Sequence, residues 1–533
     1  MPRKRTIEIY DSTLRDGAQA LGINYSVEDK LLIAQRLDEL GVHFIEGGWP
    51  NRTNRGDVEF FQRARSAKWK NATIVAFGST HRAGAAARDD ATLRNLLEAE
   101  TEVVTVFGKA WDLHVRHVLK CSLDENLSII ASSVAYLRSQ GRRVIYDAEH
   151  FFDGYKAAPD YALKTLLAAV EAGAETIVLC DTNGGTLVSE VQRIMCEVAP
   201  RVGARIGIHA HNDGGMGAAN TIAAVECGAV HVQGVVNGFG ERCGNANLCT
   251  VIPALELKMG MRAIGKARLA TLAAVSRYVS EIANVMHDSR QPYVGEAAFA
   301  HKGGAHIDAM VKNPGCYEHI DPALVGNERQ ILLSQQAGSS TVAHKLERVL
   351  PGVDKRDPRV IDLLERLKKL EFEGFSFEAA DASFELLALR QLGQYREPFE
   401  VVSWRVINRH GNGHGLTSSE NEAIVKVRVG DDVRHTVANG HGPVDALSTA
   451  LRKALQADFP SLNDVHLNDY KVRDLSSRAG TAARVRVLIE TADRCTGESW
   501  GTVGVSEDIL EASWQALIDS LSYKLLQDSR KKA

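Results

Sequence analysis

The stretch IGIHAHND, residues 206–213, carries His209 and His211 two positions apart, and residues so spaced on a strand point to one face. Converging imidazoles at a strand end, with Asp213 beside them, suit a divalent metal ion. The same pattern alone also fits two packed or surface histidines, so what matters is which other groups gather with it. At other segment ends that read as strand termini the chain places Arg15 and Asp16 in DSTLRDGAQ, Glu46, the pair Asp147 and Glu149, the pair Asp181 and Thr182, and Asn237 ahead of GERCGNANL. Each one alone could be a loop cap or a structural ion pair. Together they describe a site. A hard or borderline cation held by Asp16, His209 and His211 keeps coordination positions open for an α-keto acid, whose carbonyl it polarises toward attack. Arg15 then supplies fixed positive charge where an oxyanion develops. Thr182 can hydrogen-bond the bound carboxylate, and Glu149 can position or deprotonate a reacting group. The residues thus point to carbon–carbon chemistry on a small keto acid, with the second substrate not legible in the spacing.

Those residues need elements that bring them together. Apolar strand patterns recur at 6–11, 42–48, 72–79, 101–109, 142–151, 175–185, 206–213 and 230–238, with amphipathic helical stretches following most of them. Ser26 with Asp29 three residues on reads as a capping box at the start of the first helix. Eight strand–helix units in roughly 250 residues predict an α/β fold, a closed (β/α)8 TIM barrel whose chemistry collects where strands end. The expected division is 1–270 for the catalytic barrel, 271–400 for helical linker subdomains covering the active site, and 401–533 for an α+β regulatory and dimerisation domain. The last region repeats itself: AIVKVRVGDDVRHTVANGHGPVDALSTALRKAL and ARVRVLIETADRCTGESWGTVGVSEDILEASWQALIDSLSYKLL both read as strand, strand and helix. It offers no cluster of titratable groups like that of the barrel and reads as non-catalytic.

Composition limits the partners. The 533 residues are 44% hydrophobic and 24% charged with a net charge of −4, which argues against a nucleic-acid partner. No apolar run approaches the roughly 20 residues of a membrane helix and no signal-peptide core opens the chain, so no membrane partner and a cytoplasmic location are expected. The eight cysteines form no regular framework, and reduced thiols are the expectation.

DSTLRDGAQ, HAHND and GERCGNANL together resemble the acyl-CoA-condensing barrel metallolyases, the isopropylmalate, homocitrate and citramalate synthases. LRDGAQALGINYSVEDK, GVHFIEGGWP, FAHKGGAHIDAM and the duplicated tail are similar to the longer type of citramalate synthase. The resemblance implies Asp16, His209 and His211 on a divalent metal ion (Mn, Mg, Zn or Co), with Asn245 as a further ligand. It implies Arg15 on the keto acid and enolate oxygen, Glu149 as the active-site carboxylate, and Thr182 on the substrate carboxylate. His306 and Tyr317 match a histidine and a tyrosine that lie close together in a segment covering the barrel mouth, Tyr317 one residue further from its histidine than in shorter relatives. His306 is then a candidate to help generate the enolate, and His301 and Lys302 fall nearer a coenzyme phosphate.

The implied reaction is a Claisen-type condensation of acetyl-CoA with pyruvate and thioester hydrolysis, in a homodimer whose tail binds isoleucine. Trp49, Phe77 and Phe107 would fill space beside the keto acid and favour its smallest form, or belong to barrel packing. A homocitrate synthase would need an extra cation for the distal carboxylate, for which Arg82 and Lys109 are the candidates. A barrel kept only as the scaffold of an amino-acid sensor is the competing class, and the complete set Arg15, Asp16, His209, His211 and Asn245 weighs against it.

Overall fold

Strand sequences such as TIVLCD and RVIYDAE are apolar on both faces, and a strand of that kind must be covered on both sides. The computed structural model, which describes residues 5–331, 339–346, 353, 356–413, 416–475 and 484–532, meets that demand by closing the sheet on itself. Eight parallel strands form the barrel: β1 Glu8–Asp11, β2 Phe44–Gly48, β3 Thr73–Ser79, β4 Val103–Lys109, β5 Arg143–Glu149, β6 Thr176–Asp181, β7 Arg205–Ala210 and β8 His231–Gly234. β8 returns to β1 in the register Glu8↔His231 to Asp11↔Gly234. The helices around it include α1 Val27–Leu40, α2 Arg55–Ala64, α3 Ala91–Glu98, α4 Leu123–Ser139, α5 Phe151–Ala157, α6 Pro159–Glu171, α7 Val188–Val202 and α8 Gly217–Glu226.

Outward-facing Ile9, Ile45, Val104, Val144, Ile177 and Ile208 pack with helix residues such as Leu37, Leu96, Leu137, Leu166 and Ile194 in one core. Inward-facing Tyr10, Phe44, Val75, Val103, Ile145 and Val178 form a second, smaller one. Because side chains alternate along a strand, the next inner position toward the C-terminal end lies in a separate layer. There the chain changes character to Glu46, Thr105, Asp147, His209 and Gln233, all buried. An apolar floor thus carries a polar layer, and the site stands on it.

The capping box at α1 is present: Asp29 N–H donates to Ser26 Oγ at 3.1 Å and Ser26 N–H to Asp29 Oδ2 at 2.8 Å. Replacing Ser26 with alanine orphans one first-turn donor and is expected to cost about 1 kcal/mol. A lowered thermal-melting midpoint checks it.

Three local expectations change. α3 has no counterpart in the sequence reading, although Asp90 caps it through Thr92 N and Leu93 N. α5 is a further helix squeezed between β5 and α6. Among the cysteines, Cys196 and Cys227 are joined by a disulfide with a Cα separation of 5.1 Å, which corrects the expectation of reduced thiols throughout. Their separation of 31 residues hides the pairing, since it depends on how Cys196 in α7 meets the C-cap of α8.

The chain divides into two compact units, Met1–Phe299 with His319–Arg329, and Ala300–Glu318 with Gln330–Ala533. In the second, the duplicated segment contains two antiparallel three-stranded sheets. One is β9 Glu400–Gly413, β10 Leu416–Val429 and β11 Asp432–Gly440, followed by the helix Pro443–Leu455. The other is β12 Val465–Asp474, β13 Val485–Asp493 and β14 Ser499–Ser506, followed by the helix Ile509–Lys532. Each repeat therefore has three strands where the sequence shows two. The missed strand is the first of each, and in β12 few side chains are buried, so it lacks the apolar alternation that marks a strand.

Candidate active site

The turn after β1 is fixed by Asp11, whose carboxylate accepts from Thr13 N–H at 2.8 Å and Thr13 Oγ1 at 3.0 Å. Burial pushes Asp11 up to about 7 against those two bonds. The turn delivers Arg15 and Asp16 inward. The Arg15 guanidinium donates through Nε to Glu46 and through Nη1 to Asp16, and it lies 3.7 Å from the Phe77 ring centroid. Glu46, fully buried, also accepts from Tyr10 Oη and from Ser12 Oγ, the latter at 2.9 Å. Ser12 Oγ is likewise 3.0 Å from Asp16 Oδ2. Burial works to raise the Asp16 carboxyl, but Arg15 beside it, then His209 and His211, hold it below the ordinary range.

β7 brings up the histidines. Their Nε2 atoms are 3.4 Å apart, and His209 Nε2 is 3.6 Å from Asp16 Oδ2. Burial, and then His209 as a neighbour, push His211 down to about 3, with Asp16 opposing, so the ring is neutral. Asn245 reaches them through the glycine-rich loop after β8, where it bridges to the His211 backbone. That loop explains its own glycines. A side chain at Gly240 (φ 144°) would put its Cβ 2.2 Å from Asn245 Nδ2, and one at Gly244 would meet Gly238 O at 1.9 Å. Asn245 Nδ2 donates to Phe239 O at 3.1 Å, while its Oδ1 is buried without a partner among the described residues.

Among the described residues, no three His, Cys, Asp or Glu side chains are already drawn into one closed ligand cluster. The donor chemistry nevertheless fits a divalent ion, because two imidazole Nε2 atoms and a carboxylate adjoin one another and a buried amide oxygen in the same place lacks a partner.

Asp16, His209 and His211 line a cavity of about 210 Å³, and Asn245 lies outside its wall. Arg15, Asp16, His209 and His211 meet Glu149 and Thr182 in its wall, and with Trp49, Phe77, Phe107 and Asp147 ten of the residues singled out from sequence converge there. Trp49, Phe77 and Phe107 form its aromatic side. Trp49 is T-shaped to Phe77 and Phe107, with centroids 5.9 and 5.6 Å away, and those two stack at 5.4 Å. Thr182 Oγ1 accepts from His150 N–H at 2.9 Å, a bond that needs the left-handed backbone of His150 (φ 56°). Glu149 pairs with Lys109.

Other strand-end residues serve the scaffold. Asp181 is bound by Thr186, with Oγ1 at 2.8 Å. Asn237 is held by Ser276, Ser280 and Gln291. Asp213 is taken by Arg242, at 2.7 and 3.0 Å, instead of adjoining the histidines as a ligand. Arg82 is exposed and outside the cavity wall. Gln19, Cys180, Glu241 and Arg242 line the cavity and were not foreseen from sequence. Asp147, also in the wall, is buried and beside Glu46, which together push its carboxyl well above the ordinary value despite Arg15. It accepts from Gln233.

His306 and Tyr317 belong to the second unit, where their rings stack at 4.2 Å and 24°. There His301 Nε2 lies 3.0 Å from Glu318, and Lys302 pairs with Glu378 at 2.6 Å.

Residues 6–279 match the HMGL-like family, 293–374 the homocitrate synthase post-HMGL domain-like family, and 378–525 the LeuA allosteric (dimerisation) domain. The chain is 51% identical over 521 residues to an (R)-citramalate synthase of Geobacter sulfurreducens, covering 97% of both chains. It is 49% identical over 523 residues to that of Aquifex aeolicus, covering 98% of both. Identity falls to 33% over 513 residues, 96% of this chain and 97% of the other, with a probable 2-isopropylmalate synthase of Methanopyrus kandleri. The chain therefore belongs to the HMGL-like family and, within it, to the (R)-citramalate synthases.

Proposed function

We propose that this protein condenses acetyl-CoA with pyruvate and hydrolyses the resulting thioester, releasing (R)-citramalate and CoA. The observation that carries this reading is the end-to-end identity of about half the residues with (R)-citramalate synthases, which is well above that with the isopropylmalate enzyme. The cavity agrees with it. Its aromatic side, Trp49, Phe77 and Phe107, is a wall against which a small apolar substituent of a keto acid can pack. Arg242 is committed to Asp213 and Lys109 to Glu149, so neither is a spare cation for the distal carboxylate of a longer substrate.

Arg15 holds the keto acid by charge and faces the oxygen on which negative charge grows when C2 is attacked. Thr182, already accepting from His150 N–H, has its own hydroxyl proton free to donate to the keto acid's carboxylate. Trp49, Phe77 and Phe107 cover the methyl group and exclude water. Glu149 is the proposed carboxylate that positions or deprotonates a reacting group, with His306 and Tyr317 as the proposed pair for forming the acetyl-CoA enolate. The enolate carbon bonds to C2, the alkoxide is protonated, and water then displaces CoA as the thiol. A divalent metal ion held by Asp16, His209, His211 and Asn245 would supply Lewis-acid polarisation of the keto carbonyl when bound, and manganese, magnesium, zinc and cobalt all suit the mixed nitrogen and oxygen donors.

Thiol release from acetyl-CoA with a panel of keto acids tests the reading. Release is expected to be fastest with pyruvate, to vanish with a chelator and to return with a divalent salt. Absence of release with every keto acid, metal being present, would leave an amino-acid sensor built on the barrel. A faster reaction with 2-ketoisovalerate or 2-oxoglutarate would make the protein an isopropylmalate or homocitrate synthase.

The tail supports a homodimer and an effector role, through its match to the LeuA allosteric (dimerisation) domain. Isoleucine, the expected end product, should inhibit thiol release at millimolar concentration. Unchanged release would end that proposal. A cytoplasmic location is proposed on the same biosynthetic grounds, and no helix among the described residues is long and apolar enough to cross a membrane.

A further inference from the structure

Gln233 is absent from the cavity wall, yet it is wholly buried between two groups that are in it. It is the register partner of His209 on the adjoining parallel strand, so both side chains enter the same inner layer of the barrel. Its Nε2 donates to Asp147 Oδ1 at 3.0 Å and its Oε1 lies 2.8 Å from His209 Nδ1. An amide has one donating and one accepting end. With its Nε2 on Asp147, whose oxygen accepts there whether or not the carboxyl carries a proton, the amide turns its oxygen to the imidazole, and an oxygen there can only accept. His209 must then carry its proton on Nδ1 and present a bare lone pair at Nε2, the atom that faces His211 and Asp16. The other histidine differs, since His211 Nδ1 is buried without a partner among the described residues and nothing there selects its tautomer.

We infer that Gln233, oriented by Asp147, is a positioning residue that locks His209 into the one neutral tautomer able to bind a metal ion through Nε2. The inference rests on the metal site of the proposed function. It makes His209 the preformed ligand, ready before any ion arrives, and assigns a purpose to an inner-layer amide and acid where a barrel interior ordinarily holds branched apolar side chains. Without the acceptor, the ring divides between two tautomers and two orientations, and binding must first select one of them.

The test is metal affinity, measured without turnover. Calorimetric titration of the chelator-stripped full chain with manganese or zinc is expected to show Q233L weakened about 10–100-fold relative to the parent. Q233E, which still offers an oxygen to Nδ1, should stay within about threefold of the parent, a rescue that a merely space-filling side chain would not predict. Melting curves of the stripped proteins show whether the variants are folded. Should Q233L fail to fold, the parent decides the matter alone: with 15N-labelled histidine, the signal lost in H209N should report Nδ1 protonated and Nε2 bare in the stripped protein. Equal affinities for parent and Q233L, a Q233E as weak as Q233L, or a proton on Nε2 would each overturn the inference and leave the metal site standing. A parent that binds no divalent ion at all would overturn both.

Discussion

Replacing Arg15 with alanine is expected to lower kcat/KM for pyruvate by about a thousandfold, at the upper end of what one donor to a developing oxyanion contributes. The expectation is large because Arg15 serves twice. In the proposed reaction it is the cation that faces the keto acid, and its two bonds, through Nε to Glu46 and Nη1 to Asp16, hold two buried carboxylates near each other beside the histidines. Without it, Glu46 keeps Tyr10 and Ser12 as donors among the described residues, and the Asp16 carboxyl loses the neighbour that lowers it most. Some of the loss in the alanine variant is therefore structural, and Arg15→Lys separates the two effects. Lysine restores the charge but offers a point donor instead of a planar fork. It cannot serve Glu46 and Asp16 at once while stacking on Phe77, so a loss of about a hundredfold should remain although the fold is kept. Steady-state thiol release with melting curves makes the comparison. An Arg15→Ala variant that is folded and within tenfold of the parent would remove Arg15 from the chemistry.

The same neighbourhood shows what a sequence can and cannot disclose. The barrel was legible because eight apolar strands, each followed by a loop, leave few alternatives, and Asp16, His209 and His211 were legible because strand ends in such a barrel face one mouth. Strand-end position places a residue on the rim without naming its partner. Asp181 and Asn237 read like Glu149 and Thr182, yet the first is bound by Thr186 five positions on, and the second by Ser276 thirty-nine positions on. The arginine that claims Asp213 comes 29 residues later, from the loop whose glycines let it fold back. Gln233, as the partner of the strand-end acid Asp147, was hidden for the opposite reason. Alternation says that both point inward, but only three-dimensional register puts an amide of β8 between an acid of β5 and a histidine of β7.

Replacing Trp49 with alanine is expected to raise the ratio of kcat/KM for 2-ketoisovalerate to that for pyruvate by about a hundredfold. The larger keto acid carries two more carbons, and in an apolar pocket each is worth roughly 1 to 3 kcal/mol of discrimination. The wall that must yield is aromatic, but its three members are not equivalent. Phe77 lies under the Arg15 guanidinium, and Phe107 is stacked against Phe77, so truncating either one disturbs the cation as well as the volume. Trp49 is perpendicular to both rings and is in neither the stack nor the cation contact. Its backbone is anchored independently, since its N–H donates to Asp57 Oδ2 at 2.8 Å, its carbonyl accepts from Asn51 Nδ2 at 3.1 Å, and Asp57 is itself paired with the buried Lys30. Gly48 permits that approach, because a Cβ there would lie 2.3 Å from the Asp57 carboxyl. Loss of the indole should therefore open space without moving Arg15 or the histidines, so that activity with pyruvate falls less than tenfold while the branched substrate gains. Parallel thiol-release assays with the two keto acids measure the ratio. A ratio within threefold of the parent's would mean that Trp49 packs the barrel rim and that substrate size is read elsewhere.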